Sequence, residues 1–171
     1  MLSPHNPIVH SRYNSHMNKR IAMISVHECP LASSEGKERG GINVYVYELS
    51  KALSRIGWNI DMYTRMQDTV NPAVVQVNDH ARVIHLPAGP KTPLHKKEVI
   101  NHLEEFSRHM ADFIKNEHVT YDAFHAHYYY SGMVGQSLRN IYTTPTPLIM
   151  TFHTLGSVSY THLTLPTILL V

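Results

Sequence analysis

The sequence has little of several features that mark common classes of protein. It contains one cysteine, Cys29, which excludes an internal disulfide framework and is typical of a reducing compartment. Lys and Arg number 15 and Asp and Glu 13, so the formal net charge of +2 does not supply the positive field on which nucleic-acid binding depends. No apolar run approaches the roughly 18 to 20 residues of a membrane-spanning helix. These absences predict a soluble, cytoplasmic protein that does not bind nucleic acid and has no integral membrane segment.

Two common nucleotide-binding motifs are also absent. The segment GKERGGIN, at residues 36–43, fits neither the P-loop nor the Gly-x-Gly-x-x-Gly fingerprint of dinucleotide-binding proteins. It does place Gly40 and Gly41 directly before a helical pattern. Glycines there let a ligand approach the backbone, and the free N–H groups of a helix start favour an anion by about 0.3 to 2 kcal/mol. The pair indicates either an anion site or a tight turn, and the residues alone leave both readings open.

The chain alternates strands and helices after a polar leader at residues 1–18. A short apolar run at residues 19–28 predicts a buried strand. The run WNIDMYT predicts a second strand, parallel to the first and joined to it by a helix. That helix is indicated by apolar residues at intervals of three and four, and Gly57 is its expected stop: Ile42, Val46, Leu49, Leu53 and Ile56.

The alternation continues to residue 153. Further strands are predicted for PAVVQVN, ARVIHLP, YDAFHAH and PLIMTFH, and helices for residues 97–116 and for SGMVGQSLRNIY. This order predicts an α/β protein with a Rossmann-like open parallel sheet and helices on both faces. Residues 158–171 do not start the expected next helix. We interpret them as a non-native tail that follows a domain at residues 19–157.

Three histidines are candidate site residues. His125 and His127 lie two apart on a predicted strand, so both point to one face near its carboxyl end, where open parallel sheets bind ligands. His153 closes the next apolar run. The set is typical either of metal ligands or of unrelated structural histidines in a chain that has 14 of them. Two loop lysines, Lys91 and Lys96, suit a phosphate contact but also plain solvation.

Three motifs in order carry a family resemblance: GGINVYVYELSKAL, YDAFHAHYYYSG and TFHTLGS. Together they resemble the amino-terminal domain of retaining GT-B glycosyltransferases of family 4, in the branch of sucrose-phosphate synthase and D-inositol-3-phosphate glycosyltransferase. The resemblance covers residues 19–157. It implies a partner domain across a deep cleft, with the acceptor held mainly by the first domain and the nucleotide sugar mainly by the second. No cofactor is implied beyond the nucleotide sugar as co-substrate.

The resemblance also implies roles for particular residues. Gly40 and Gly41 match a glycine pair that lies against the donor diphosphate. His127 matches a catalytic cleft histidine that orients sugar hydroxyls, and His153 matches a histidine lining the cleft. Lys91 or Lys96 would contact an acceptor phosphate. The expected activity is transfer of a hexosyl group from a UDP-glucose-like donor to a sugar, sugar-phosphate or cyclitol-phosphate acceptor.

The second domain expected from the resemblance is absent from the sequence, so we expect the 171-residue chain to be inactive alone. Two other classes stay open. One is a metal-dependent hydrolase that uses His125, His127 and His153 as ligands. The other is a non-catalytic module that binds sugar phosphates.

Overall fold

The computed structural model describes residues 19–32, 41–141 and 146–153. The predicted leader, the predicted tail and Gly40 lie outside these ranges. Within them the elements follow in this order: β1 (Arg20–Ile24), α1 (Gly41–Arg55), β2 (Asn59–Arg65), β3 (Val74–Asn78), β4 (Ala81–Leu86), α2 (Lys96–Val99), a 3-10 turn (Ile100–His102), α3 (Leu103–Asn116), β5 (Ala123–His127), α4 (Tyr128–Ile141) and β6 (Leu148–Thr151).

The strands of the described ranges form one sheet in the order β3-β4-β2-β1-β5-β6. Neighbours from β4 to β6 are parallel, whereas β3 runs antiparallel to β4. Only Asp79 and His80 separate β3 from β4. So short a link joins antiparallel strands, because a parallel pair needs a crossover of about a dozen residues or more. The predicted Rossmann-like α/β fold is confirmed, with one edge strand reversed.

Helices cover both faces of the sheet, as predicted. On one face Val46 of α1 packs with Met23, Ile60, Met62 and Val83 of the strands. On the other face α3 and α4 pack against the strand residues that alternate with those of the first face, since successive strand residues point to opposite faces. The members of this second cluster include Ile24, Tyr63, Ile84, Phe106, Met110, Phe124, Val134 and Leu138.

Helix boundaries differ from prediction in two places that matter for the site. Ile56 lies beyond the end of α1 and is 61% exposed, so it does not belong to the apolar stripe, although Gly57 does adopt the expected left-handed conformation at φ 85°. The last helix begins at Tyr128, three residues earlier than predicted. Ser131 therefore lies inside α4. Its buried Oγ accepts a hydrogen bond of 3.2 Å from the N–H of Val26.

The parallel strands all run in one direction, so their carboxyl ends meet at one edge of the sheet. We call this the carboxyl edge and the opposite one the amino edge. α1 and α4 both begin at the carboxyl edge, the latter directly after β5. None of the helices in the described ranges combines the length and apolarity needed to cross a membrane.

Candidate functional site

Four histidines at the carboxyl edge form a group that we call the histidine cluster: His27, His125, His127 and His153. His127 ends β5 and is fully buried, and its Nδ1 lies 3.1 Å from Nε2 of His153. Nε2 of His125 lies 2.9 Å from the hydroxyl of Thr151 on β6. The structure thus brings the three predicted histidines together, because β5 and β6 are neighbouring parallel strands.

His127 keeps one ring nitrogen unused. Its Nε2 is buried and has no hydrogen-bond partner among residues 19–32, 41–141 and 146–153. If Nδ1 donates to His153, Nε2 is an acceptor, and in the other tautomer Nε2 is a donor. A sugar hydroxyl can both donate and accept, so it fits Nε2 in either tautomer. Tyr45 of α1 packs edge-on against both rings, with centroid distances of 5.8 Å to His127 and 5.2 Å to His153.

His27, the first member of the cluster along the chain, was missed by sequence reasoning. Its side chain is 4% exposed, its Nε2 lies 3.7 Å from Oε1 of Glu28, and neither ring nitrogen makes a hydrogen bond to a residue that the structure describes. The ring packs on Tyr128 and Tyr130, with centroid distances of 4.7 and 5.9 Å. One signal was present in the sequence. The apolar run of β1 leads into His27 much as the run of β5 leads into His127, and both strands end at the same edge.

Burial keeps the histidine cluster neutral at pH 7. It lowers the pKa of His27 to about 3, with Lys96 and His153 adding smaller contributions. It lowers the pKa of His127 to about 2 and that of His125 to about 4, and the neighbouring histidines add to both shifts. The pKa of His153 is also lowered by burial. A neutral imidazole donates through one nitrogen and accepts through the other, which suits an uncharged polar group such as a hydroxyl.

The start of α1 adds backbone donors to the carboxyl edge. Gly41 is the first residue of this helix and is exposed, and nothing lies within 4 Å of the position that a Cβ would occupy. The first N–H groups of a helix have no intrahelical acceptor and so are free for an anion. Two residues on, the side-chain oxygen of Asn43 is buried without a hydrogen-bond partner among the described residues. The start of α1 therefore presents open space beside this buried oxygen.

The two candidate lysines differ in position. Lys96 begins α2, and its Nζ lies 4.5 Å from the ring centre of Tyr128, which itself packs on His27. Lys91 is exposed and makes no hydrogen bond, ion pair or ring contact with any residue that the structure describes. The structure therefore brings Lys96, but not Lys91, into contact with the surroundings of the histidine cluster.

The geometry of the cluster does not favour a metal centre. No group of three or more His, Cys, Asp or Glu side chains within residues 19–32, 41–141 and 146–153 is arranged to hold a metal ion. His127 and His153 instead share a hydrogen bond, and His125 is bonded to Thr151.

Two clefts of about 380 and 260 Å³ lie at the amino edge. One lies beside the carboxyl-terminal end of α1, and the other lies around Asp61 and Arg82. Neither is lined by a buried side-chain polar atom that lacks a hydrogen-bond partner. Within the described ranges such atoms occur at the carboxyl edge instead, in His27, Glu28, Asn43, Thr64, Arg65 and His127. Because a buried polar group without a partner costs stability, such atoms are candidates for contact with a ligand or an ordered water. The carboxyl edge is therefore the better candidate site.

Comparison with known proteins gives the deciding observation. Residues 39–169 match the family described as Glycosyltransferase Family 4. The chain belongs to glycosyltransferase family 4. The resemblance drawn from the three sequence motifs is confirmed by this match.

Similar family 4 proteins carry related names. The D-inositol 3-phosphate glycosyltransferase of Corynebacterium diphtheriae is 40% identical over 146 residues, which is 85% of this chain and 34% of that protein. The protein of the same name from Xylanimonas cellulosilytica is 38% identical over 141 residues, covering 81% and 33%. The structure of sucrose-phosphate synthase from Thermosynechococcus elongatus superposes with a TM-score of 0.75 and 34% identity, over 85% of this chain and 36% of that one. The chain spans about a third of the length of the curated relatives it matches.

Proposed function

We propose that this chain forms the acceptor-binding half of a retaining GT-B glycosyltransferase. The enzyme would move a hexosyl group from a nucleotide sugar, such as UDP-glucose, to a sugar, sugar-phosphate or cyclitol-phosphate acceptor. The observation that carries the proposal is the unpartnered Nε2 of His127, buried at the carboxyl edge beside the start of α1 in a family 4 chain. The names of the relatives, which mention D-inositol 3-phosphate and sucrose phosphate, support a phosphorylated polyol or sugar. The single cysteine favours the cytoplasm as its location.

The proposed mechanism relies on orientation and electrostatics. Transfer with retention passes through a transition state of oxocarbenium character, in which charge separates between the sugar and the departing diphosphate. Backbone N–H groups at Gly40 and Gly41 would stabilise the diphosphate. His127 would act as the catalytic residue of this half by fixing a sugar hydroxyl through Nε2. The cations that neutralise the leaving group would come from the second domain.

Lys96 is the proposed acceptor-phosphate contact. Its ammonium group sits over Tyr128 at the rim of the histidine cluster, where His27 supplies a second polar group. His153 would line the cleft, because it is hydrogen bonded to His127 and packed by Tyr45. Lys91 lacks such neighbours within the described ranges, so the phosphate role passes to Lys96 alone.

A chimera tests the proposal. Residues 19–153 would be joined to the carboxyl-terminal part of the Corynebacterium diphtheriae relative and assayed with UDP-sugars and D-inositol 3-phosphate, with and without EDTA. We expect transfer in both conditions and none by the 171-residue chain alone. Transfer that requires added metal would favour the metal-dependent hydrolase class. Binding of D-inositol 3-phosphate without transfer would favour the non-catalytic module.

Replacing His127 by Phe tests its role within the same chimera. Because His127 is fully buried and neutral, alanine would leave a cavity, whereas phenylalanine fills the space and removes only the ring nitrogens. We expect transfer to fall about 10-fold to 100-fold, through loss of the Nε2 hydrogen bond to the substrate and of the bond that holds His153. The matched control is His118→Asn, an exposed histidine at φ 53°, a conformation that Asn tolerates. Equal activity of His127→Phe and the control would remove His127 from the mechanism.

A further inference from the structure

Arg65 is a buried cation that the proposed mechanism does not use. It ends β2, is 1% exposed, and is among the largest fully buried side chains. No carboxylate of the described ranges forms an ion pair with it. Burial of a charge without a counter-ion is costly unless hydrogen bonds compensate. The side chain therefore must find its partners elsewhere.

Its partners are three backbone carbonyl groups, two of them in the proline-rich loop that follows β4, and its Nε has no partner within the described ranges. Nη1 donates to the carbonyl oxygen of Pro90 at 2.7 Å and to that of Met66 at 3.2 Å, and Nη2 donates to the carbonyl of Thr92 at 2.7 Å. The loop contains Pro87, Pro90 and Pro93 and so has few N–H groups of its own. The planar guanidinium carries several N–H groups in a fork, and these supply the hydrogen-bond donors that the loop backbone lacks.

The same loop is held at both of its ends. The carbonyl of Pro87 lies 2.6 Å from Nδ1 of His109, and the N–H of Gly89 donates to the carboxylate of Glu105 at 2.8 Å. At the far end, His95 and Glu98 cap each other at the start of α2. Arg65 donates hydrogen bonds to the middle of the loop, between these two points of attachment.

The loop leads directly to Lys96. Thr92, whose carbonyl oxygen Arg65 holds, lies four residues before this lysine. Lys96 is exposed, and its Nζ contacts Tyr128, which packs on His27. An exposed lysine on an unrestrained loop would sample many positions, at an entropy cost to any ligand that must hold it.

We propose that Arg65 is a positioning residue. By fixing residues 87–95 through their carbonyl groups, it sets the place of Lys96 at the rim of the histidine cluster, where Lys96 receives a phosphate of the ligand. The ligand class rests on the proposed function. The action of Arg65 on the loop does not, and it can be measured without a ligand.

Hydrogen exchange on the 171-residue chain tests the action on the loop. The reporters are amides that are hydrogen bonded within or beside the loop: Gly89, His95, Lys97 and Glu98. Arg65→Met, which keeps the length and removes the donors, should speed their exchange about tenfold. Arg65→Lys should give a smaller increase, because one ammonium cannot reach two separate carbonyls as a fork does. Ile84→Val, a core change on β4, should destabilise the whole domain and leave the loop reporters unchanged relative to the sheet.

Titration with D-inositol 3-phosphate tests the link to Lys96. Arg65→Met and Lys96→Ala should each weaken binding about tenfold, and the double variant should be no weaker than Lys96→Ala alone. Additive effects, or loop reporters that behave as in Ile84→Val, would overturn the proposal. If Arg65→Met does not fold, the same exchange and binding measurements are made on Arg65→Lys. If neither variant folds, Arg65 is a core residue and the proposal is wrong. If the wild-type chain does not bind this probe, the proposed ligand class fails, and Arg65 is judged by the exchange rates.

Discussion

The two edges of the sheet differ in whether their buried polar groups are hydrogen bonded. At the amino edge the buried carboxylate of Asp61 accepts hydrogen bonds from Arg82 at 2.7 Å, Tyr121 at 2.6 Å and Arg20 at 3.0 Å. At the carboxyl edge the side chains of His27 and His127 are similarly buried, yet ring nitrogens of both make no hydrogen bond within the part of the chain that the structure describes. The polar groups of the amino edge therefore pair with one another, whereas buried polar atoms of the carboxyl edge have no partner among the described residues.

The charge states of the buried groups also differ between the amino edge and the carboxyl edge. Although burial alone would raise it, the hydrogen bonds from Arg82 and Tyr121 hold the pKa of Asp61 below its ordinary value. The hydrogen bond to Asp61 raises the pKa of Arg82 further. The amino edge is therefore charged and neutralised by pairing, whereas the carboxyl edge is kept neutral by burial. The comparison predicts that changes at the first edge affect stability most and changes at the second affect binding most.

Asp61→Asn should have the largest effect on stability. It leaves two guanidinium groups facing a neutral amide, and breaking a buried pair in this way costs about 3 kcal/mol, the lower end of the usual range because both arginines keep some contact with water. Urea unfolding at pH 7 measures the loss, and affinity for D-inositol 3-phosphate in the folded protein should not change.

An exposed ion pair at the same edge is the control. Asp122 bonds Lys19 at 2.8 Å, but both side chains are more than two-fifths exposed, at 42% and 43%. Asp122→Asn should therefore cost less than about 1 kcal/mol. Equal losses for Asp61→Asn and Asp122→Asn would mean that burial of the network does not determine its contribution.

Acid should destabilise the protein through the carboxyl edge. An unfolded histidine has a pKa near 6.5, whereas the folded values of His27, His125 and His127 are about 3, 4 and 2. Below about pH 6.5 these histidines bind protons in the unfolded chain but stay neutral in the folded protein. The free energy of unfolding is therefore highest above that pH and decreases as the pH falls. Each histidine contributes a slope of up to about 1.4 kcal/mol per pH unit.

Unfolding in urea between pH 7.5 and 5 measures this slope. His127→Phe should remove about 2 kcal/mol of the loss expected by pH 5. Ile84→Val should shift the whole curve without changing its slope, because it alters packing alone. Parallel curves for His127→Phe and the wild type would show that His127 takes up its proton without unfolding.

Much of the fold was predictable because it depends on local pattern. The apolar runs of β1 and β5 and the stripe of α1 identified buried elements, and Gly57 marked the helix end. The convergence of His127 and His153 also followed, since the carboxyl ends of parallel strands meet at one edge. These inferences need only periodicity and the direction of strands.

What escaped prediction depends on partners far along the chain. Asp61 reads as a polar residue in a strand, and only the fold brings Arg82 and Tyr121 to it, 21 and 60 residues away. Arg65 reads as the polar end of a strand, yet it is buried by a loop 25 residues later. His27 had a signal, its place after β1, but nothing in the sequence showed that both of its nitrogens would lack hydrogen bonds.

Gly41→Ala should have the smallest effect on stability and sharpens the comparison most directly. Gly41 lies in the first turn of α1, where a Cβ would meet nothing within 4 Å, so the fold does not need glycine there. Alanine should leave the free energy of unfolding unchanged or raise it by up to about 1 kcal/mol, through helix propensity. If the open space is reserved for a ligand, the methyl group should still weaken binding of D-inositol 3-phosphate or lower transfer by the chimera. Val44→Ala, at a position 39% exposed on the same helix, is the control for a change that only alters the helix surface. Full binding and full transfer by Gly41→Ala would show that the glycine serves the chain turn and not the ligand, and the start of α1 would then no longer belong to the site.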